Sequence, residues 1–306
     1  MNFDIKVRNS AIFLRLLTRS TDGQLHRLVT SGSVDLSVGL SDEMLDALYD
    51  GKAMEIPLPL NNWRRVLARL SRFHDWMRDP ANQARFLAPL SPEQQVTFDT
   101  SPLTFSVDGV VYDSPRAIPG PADITVPLGT FELTTSTVLL TDPCYEKGTW
   151  CTGELEARTG TWNAQVLLRD DKGGGHRNAM LSMAHVSVSL ESLEPSSMEK
   201  TDIDVGVDSG QAGLFEKIRF PDDKAQLDSN EGTWYSSVCE ITGNETGTGA
   251  GIAPGGFGVV SQTFWGDGGY PCFVRKDESG QVVAVVLVFD GSMNKDDDEA
   301  EGDDAA

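Results

Sequence analysis

The chain is poor in the residues that most often carry chemistry. It holds 4 histidines and 4 cysteines in 306 residues. No Cys-x-x-Cys, HExxH, GxSxG or GxxxxGK[ST] occurs, so zinc knuckles, zincins, serine-hydrolase elbows and phosphate-binding loops have no basis here. No run approaches the roughly 18 apolar residues that a membrane-spanning helix needs. The opening MNFDIKVRNSAIFLRLLTRS is not expected to be a secretory leader: its apolar run from Ala11 to Leu14 is short and Arg15 interrupts it. A cytoplasmic location is therefore expected. There is no internal repeat of fixed period.

The cysteines are Cys144, Cys151, Cys239 and Cys272. An even count admits two disulfides, but without an export signal reduced and buried thiols are expected instead. The spacing of Cys144 and Cys151 is too wide for a zinc knuckle, and the other two stand apart.

Basic charge is scarce in one part only. Formal charge is -21. Residues 1–88 hold 12 Lys/Arg and 10 Asp/Glu; the remainder holds 13 and 36, a net of -23. That acidic body repels nucleic acid and anionic membrane and suits a basic protein partner or a cation. Solubility is the plainer reason for such a charge.

What is present is mainly strand signal. Phe3, Ile5 and Val7 alternate with polar neighbours, and AIFLRLLT and QLHRLVT flank the turn RSTDG, so residues 2–38 read as a hairpin or meander. A short helix is expected from Ser41, with Met44, Leu45 and Leu48 on its apolar face. The strongest helix lies at 62–78. Trp63, Val66, Leu67, Leu70, Phe73, Trp76 and Met77 make one face, Asn61 or Asn62 can cap it, and Asp79-Pro80 stops it. Arg64 stands beside a stripe of Arg65, Arg69 and Arg72, a candidate phosphate-binding surface. A solvated face is the simpler reading, so nucleic acid is not an expected partner.

From Val96 the composition turns β-like. TFSV-DG-VVYD reads as a hairpin, because Asp-Gly suits a type I′ turn. SPRAIPGPAD is a loop, since three prolines exclude a central strand. Further strands are expected in FELTTSTVLL, GTWNAQVLL and HVSVSL, with the loop RDDKGGGHR between the last two. In the last third VGVDSGQAGLFE, WYSSVCEIT and SQTFWGDGGYPCFVRKDESGQVVAVVLVF read as β-sheet with acidic glycine turns, and the stretch from Gly243 to Gly258 reads as flexible. Lys295 to Ala306 carries seven Asp/Glu and nothing apolar beyond alanine, so it is expected to be disordered.

Three turns hold the candidate site residues: Asp142-Pro143-Cys144-Tyr145, Asp208-Ser209-Gly210-Gln211, and Gly266 to Pro271 with Asp267 and Tyr270. Converging strand ends would let Asp142, Asp208 and Asp267 hold Mg²⁺ or Ca²⁺, which prefer oxygen ligands. Cys144 as thiolate, with His185 as a base, would make a nucleophilic site. Asp142, Cys144, Asp208, Gln211, Asp267 and Tyr270 are thus the catalytic candidates. The competing reading is turn chemistry, in which an aspartate accepts a backbone N–H two residues on and glycine supplies positive φ. That reading is preferred, and no cofactor beyond a divalent cation is suggested.

The sequence from VGVDSGQAGLFE through the Trp234, Tyr235 and Cys239 block to GDGGYP and VVAVVLVF resembles the bacterial domain of unknown function numbered 4241. Asp208, Gly210 and Phe215 match its Asp-x-Gly turn and Phe segment. Trp265 to Pro271 matches its glycine-rich turn, with Trp265 where many members have Gly or Tyr. Asp142-Pro143 and Gly160 to Trp162 fit the upstream part, so the resemblance covers residues 135–290. It implies a β-rich fold and a bacterial, phage or mobile-element origin, and no substrate, cofactor or catalytic residue.

The expected architecture is α+β. A β-plus-helix region at 1–95 precedes a β-rich sandwich or barrel-like domain at 96–292, followed by an acidic tail at 293–306. The expected function is a non-enzymatic acidic binding or accessory protein with a basic partner. The rival is a metal-dependent or hydrolase-like enzyme built on the acidic turns.

Overall fold

The computed structural model describes residues 2–8, 11–16, 54–58, 63–88, 101–120, 123–243 and 248–293. The Ser41 helix, the QLHRLVT strand, the Asn61 and Asn62 caps and the acidic tail lie outside them. Contacts divide the chain into 1–122 with 170–176, and 123–169 with 177–306. The sequence reading divides it at 95/96. The later division follows from strand pairing, because the Asp-Gly hairpin joins the first unit's sheet.

In the first unit β1 (Asn2–Arg8), β2 (Ala11–Leu16), β3 (Met54–Leu58), β4 (Thr104–Val107) and β5 (Val110–Tyr112) form a sheet in the order β3-β2-β1-β4-β5. β1 pairs parallel with β4; the other pairings are antiparallel. At the β4–β5 turn Asp108 has φ 48° and Gly109 φ 85°. Both are the left-handed values that a type I′ turn requires and that glycine adopts at least cost. Helix α1 (Trp63–Met77) buries Trp63, Val66, Leu67 and Leu70, as its periodicity demands. Trp76, expected on that face, is 40% exposed.

Asp79-Pro80 ends α1 and also starts a helix the sequence reading lacks, α2 (Pro80–Leu87). Asp79 Oδ1 accepts the Ala81 N–H at 2.9 Å, and Pro80 occupies the first turn, where no donor is needed. Arg65, Arg69 and Arg72 are exposed. Arg64 is buried: its guanidinium pairs with Asp170 and donates to the Ile118 carbonyl at 2.9 Å. The loop carrying Asp170 is held by Asp171, whose Oδ1 accepts the N–H groups of Gly173, Gly174 and Gly175.

The strands of the second unit are, in order, β6 (Ile124–Leu133), β7 (Thr137–Thr141), β8 (Gly153–Glu156), β9 (Gly160–Asp170), β10 (His176–His185) and β11 (Glu199–Val207). After them come β12 (Gln211–Glu216), helix α3 (Trp234–Thr242), β13 (Ala250–Ile252), β14 (Gly258–Gln262), β15 (Gly268–Lys276) and β16 (Val282–Val288). They form a six-stranded sheet, β11-β15-β16-β10-β9-β6, and a five-stranded sheet, β13-β14-β12-β7-β8. Neither closes into a barrel, which removes that alternative. One apolar core takes side chains from both sheets, among them Leu140, Trp162, Leu181, Leu214, Val259 and Leu287.

Side chains of alternate parity point the other way. Ala284, Val286 and Val288 of β16 pack with Phe273, Leu193 and Met198 under the 190–197 turns. Leu139, Phe215 and Val260 pack under α3. Burial on both faces is why VVAVVLVF is a continuous apolar run without alternation. The segment WYSSVCEIT, expected to be β, is helix α3. Thr233 caps it, accepting the Ser236 N–H at 3.0 Å, and Tyr235, Val238 and Thr242 form its buried face at i, i+3 and i+7. GAGIAPGGFG, read as flexible, contains β13 and a turn with Gly255 and Gly256 at positive φ.

Candidate functional site

Two of the links that carry the chain from one sheet to the other are held by a buried carboxylate. Glu216, at the end of β12, grips the β6–β7 link. Its Oε1 accepts the N–H and hydroxyl of Thr134 at 2.6 and 2.7 Å and those of Thr135 at 2.6 and 3.1 Å. Burial opposes this charge, but the hydrogen bonds of Thr134 and Thr135 outweigh it and hold the carboxyl below its ordinary range. Asp142, at the end of β7, grips the β11–β12 link. Oδ2 accepts the N–H groups of Asp208 at 2.9 Å and Ser209 at 2.7 Å. Oδ1 accepts the Cys144 N–H at 3.0 Å and the Ser209 hydroxyl at 2.7 Å. Asp142 is 0% exposed.

The third turn is tied to the second. The Gly210 carbonyl accepts the Thr263 N–H at 2.9 Å, and Thr263 Oγ1 and the Tyr270 hydroxyl both donate to the Gly266 carbonyl, at 2.6 and 2.7 Å. A fourth segment, residues 145–152, lies against the end of β11 through the Gly206 N–H, which donates to the Cys151 carbonyl at 3.0 Å. The three motifs thus meet at one end of the unit, but their carboxylates do not converge as ligands. Asp142 is buried with both oxygens engaged, whereas Asp208 and Asp267 are exposed. Among the described residues no three His, Cys, Asp or Glu side chains are grouped to hold a metal. The acceptor role expected of Asp208 and Asp267 falls to Asp142, because its strand end lies beside the amides of the link between sheets.

The other candidates have structural surroundings. Burial first, then the hydrogen bond and charge of Asp142, push the Cys144 thiol up to about 12. His185 is not its partner; the imidazole Nδ1 lies 2.8 Å from Ser187 Oγ, and burial lowers its pKa. Gln211 Nε2 lies 3.7 Å from Cys239 Sγ, while Gln211 Oε1 is buried with no hydrogen-bond partner among the described residues. Tyr270 is 4% exposed and meets Phe289 edge-on at 5.3 Å. The four cysteines are unpaired as disulfides.

Beside the Asp142 loop opens a cleft of about 700 Å³. Cys144, Tyr145 and Glu146 line it from the loop after β7, Lys224 and Asp228 from the segment before α3, and Tyr235 from α3 itself. Lys224 Nζ meets Glu146 at 2.8 Å, so an exposed ion pair links the loop to the segment before α3. Burial, then a hydrogen bond to Asp208, raises the Tyr145 phenol above its ordinary value.

The feature that sequence reading misses is aromatic. Trp150 is 93% exposed and Trp265 is 66% exposed, and both stand on these bonded loops. The neighbours of Trp150, glycine and threonine before it and cysteine after, carry no sign of exposure. Only the loop geometry shows it. No family model, curated protein or solved structure matches the chain.

Proposed function

We propose that the chain is a non-enzymatic binding or accessory protein, cytoplasmic and of bacterial or phage origin, whose acidic half meets a basic partner. The resemblance to the domain numbered 4241, and an α+β layout with a sandwich following a β-plus-helix region, belong to the same proposal. The observation that carries it is the role of Asp142. The carboxylate best placed to be a catalytic centre is engaged by four donors and builds the loop end. Cys144, its neighbour, is held as a thiol. What the loops offer to solvent is a recognition surface of indole rings and carboxylates.

The test is capture of partners from a bacterial lysate with the full chain, followed by reconstitution with each purified candidate across a salt series. The reading predicts a basic partner whose affinity falls as ionic strength rises. A partner that is neutral or acidic and insensitive to salt would count against it. So would a metal-dependent hydrolysis that is lost on replacing Asp208 or Asp267.

A further inference from the structure

Large apolar side chains standing clear of the surface mark interaction sites when they cluster. The second unit has two exposed tryptophans, on loops that border β11 and its neighbour β15. Trp150 precedes Cys151, whose carbonyl takes the Gly206 N–H. Gly206 stands opposite Gly269, and Val207 opposite Gly268, across β11 and β15. Trp265 begins the turn that enters β15, with its ring edge-on to buried Phe264 at 4.8 Å. Two strand spacings, about 10 Å, therefore separate Cys151 from Gly269. An extended segment of three or four residues, at about 3.3 Å each, bridges that distance.

The rims of these loops set the charge of what they meet. Asp208 follows β11 and Asp267 lies two residues after Trp265, and both are exposed. Asp202 and Asp204 extend the row along β11, also exposed. Basic residues near this end already have partners: Lys147 pairs with Asp222 at 2.7 Å, Lys224 with Glu146 at 2.8 Å, and Arg177 donates to the Phe264 carbonyl at 2.9 Å. Indole faces attract cations, and a guanidinium can stack on a ring while donating to a carboxylate. The loops are fixed by the Asp142 and Thr263 bonds, so little ordering is required when a partner docks.

We infer that the face formed by Trp150, Trp265, Asp208 and Asp267 docks an extended, arginine-bearing segment of a protein partner. This rests on the basic-partner reading and assigns that partner a place and a chemistry.

The experiment is calorimetric titration of the full chain, at about 0.15 M salt, with an acetylated peptide of alternating arginine and glycine. A matched glutamate–glycine peptide and maltohexaose are the controls. Trp150→Ala, Trp265→Ala and the double variant Asp208→Asn/Asp267→Asn are compared with Glu191→Gln/Glu194→Gln, exposed carboxylates on the 190–197 turns. Thermal melts first establish that each variant is folded; if Trp265→Ala melts early, Trp265→Leu replaces it.

The arginine peptide should bind wild type, and each tryptophan variant and the aspartate pair should weaken it by about tenfold or more, a loss that fewer than about a third of interface positions reach. The glutamate pair should change it less than about twofold. Equal binding by all variants would overturn the assigned face and leave the basic-partner reading standing. No binding of the arginine peptide by wild type would overturn both. Tryptophan-dependent binding of maltohexaose instead would make the face a sugar site and overturn the inference.

Discussion

Removing the Asp142 carboxylate should be among the most damaging single changes in the second unit. Asp142→Ala strands three backbone N–H groups and one hydroxyl, on half-buried or exposed residues, around a carboxylate that is itself 0% exposed. Each unmet donor costs about 1–3 kcal/mol when fully buried, and some recover water when the loop relaxes. The sum expected is about 4 kcal/mol. Asp142→Asn is the sharper test. Its carbonyl can keep the Asp208 and Ser209 amides, and the Ser209 hydroxyl can turn to accept from the new amide. The Cys144 N–H then faces a donor, so about 2 kcal/mol should be lost. Asp267→Asn, on an exposed turn, should stay within about 0.5 kcal/mol. Urea unfolding followed by circular dichroism measures all three, and the transition that shifts should be that of the second unit. If Asp142→Ala costs less than about 1 kcal/mol, the carboxylate is not the clamp described, and the loop face loses its scaffold.

Other outcomes rest on Glu216, Cys144 and helix α1. The stabilising contribution of Glu216 is complete above its unfolded-state value near 4.5 and is lost as pH falls through its lower folded value; Glu216→Gln should flatten that acid limb of the stability curve. Cys144, pushed up to about 12, should resist iodoacetamide at pH near 8 in the folded protein and react once urea unfolds it, as read by peptide mass spectrometry. In α1, Leu70→Ala should cost about 2–5 kcal/mol and Arg64→Ala about 3 kcal/mol, because it leaves Asp170 without its partner. Arg65→Ala should change stability by less than about 0.5 kcal/mol.

Where the sequence was legible, the deciding physics was local. The face of α1 follows from the spacing of Trp63, Val66, Leu67 and Leu70, and the β4–β5 turn from Asp108-Gly109. The α3 segment misled because its β-branched and aromatic residues suit a strand. What settles it is the Thr233 cap and a covering role over Leu139 and Phe215, which only the tertiary fold reveals. Asp79-Pro80 was legible as a stop; the same pair also carries local start signals for α2, an aspartate cap and a proline in the first turn.

Arg64 and Asp142 were illegible for one reason: their partners are distant in sequence. Arg64 meets Asp170, and Asp142 meets Asp208 and Ser209 across the crossing between sheets. The three acidic turns stand at one end of the second unit. Their roles differ because burial separates Asp142 from Asp208 and Asp267, and no sequence pattern states burial at a strand end. Trp150 was overlooked because a tryptophan in a chain of mixed strands is ordinarily assigned to the core.

The central claim is that this loop end recognises a partner and does not hold a catalytic metal. Thermal melting of wild type and Asp208→Asn/Asp267→Asn, each with and without excess Mg²⁺, Ca²⁺ or Mn²⁺, tests it most directly. A bound ion stabilises only the folded state and must raise the melting temperature. The account predicts the same melting temperature for wild type with and without metal. A rise of more than about 3 °C in wild type, the shift of about 1 kcal/mol in a unit of this size, that disappears in the variant would contradict it.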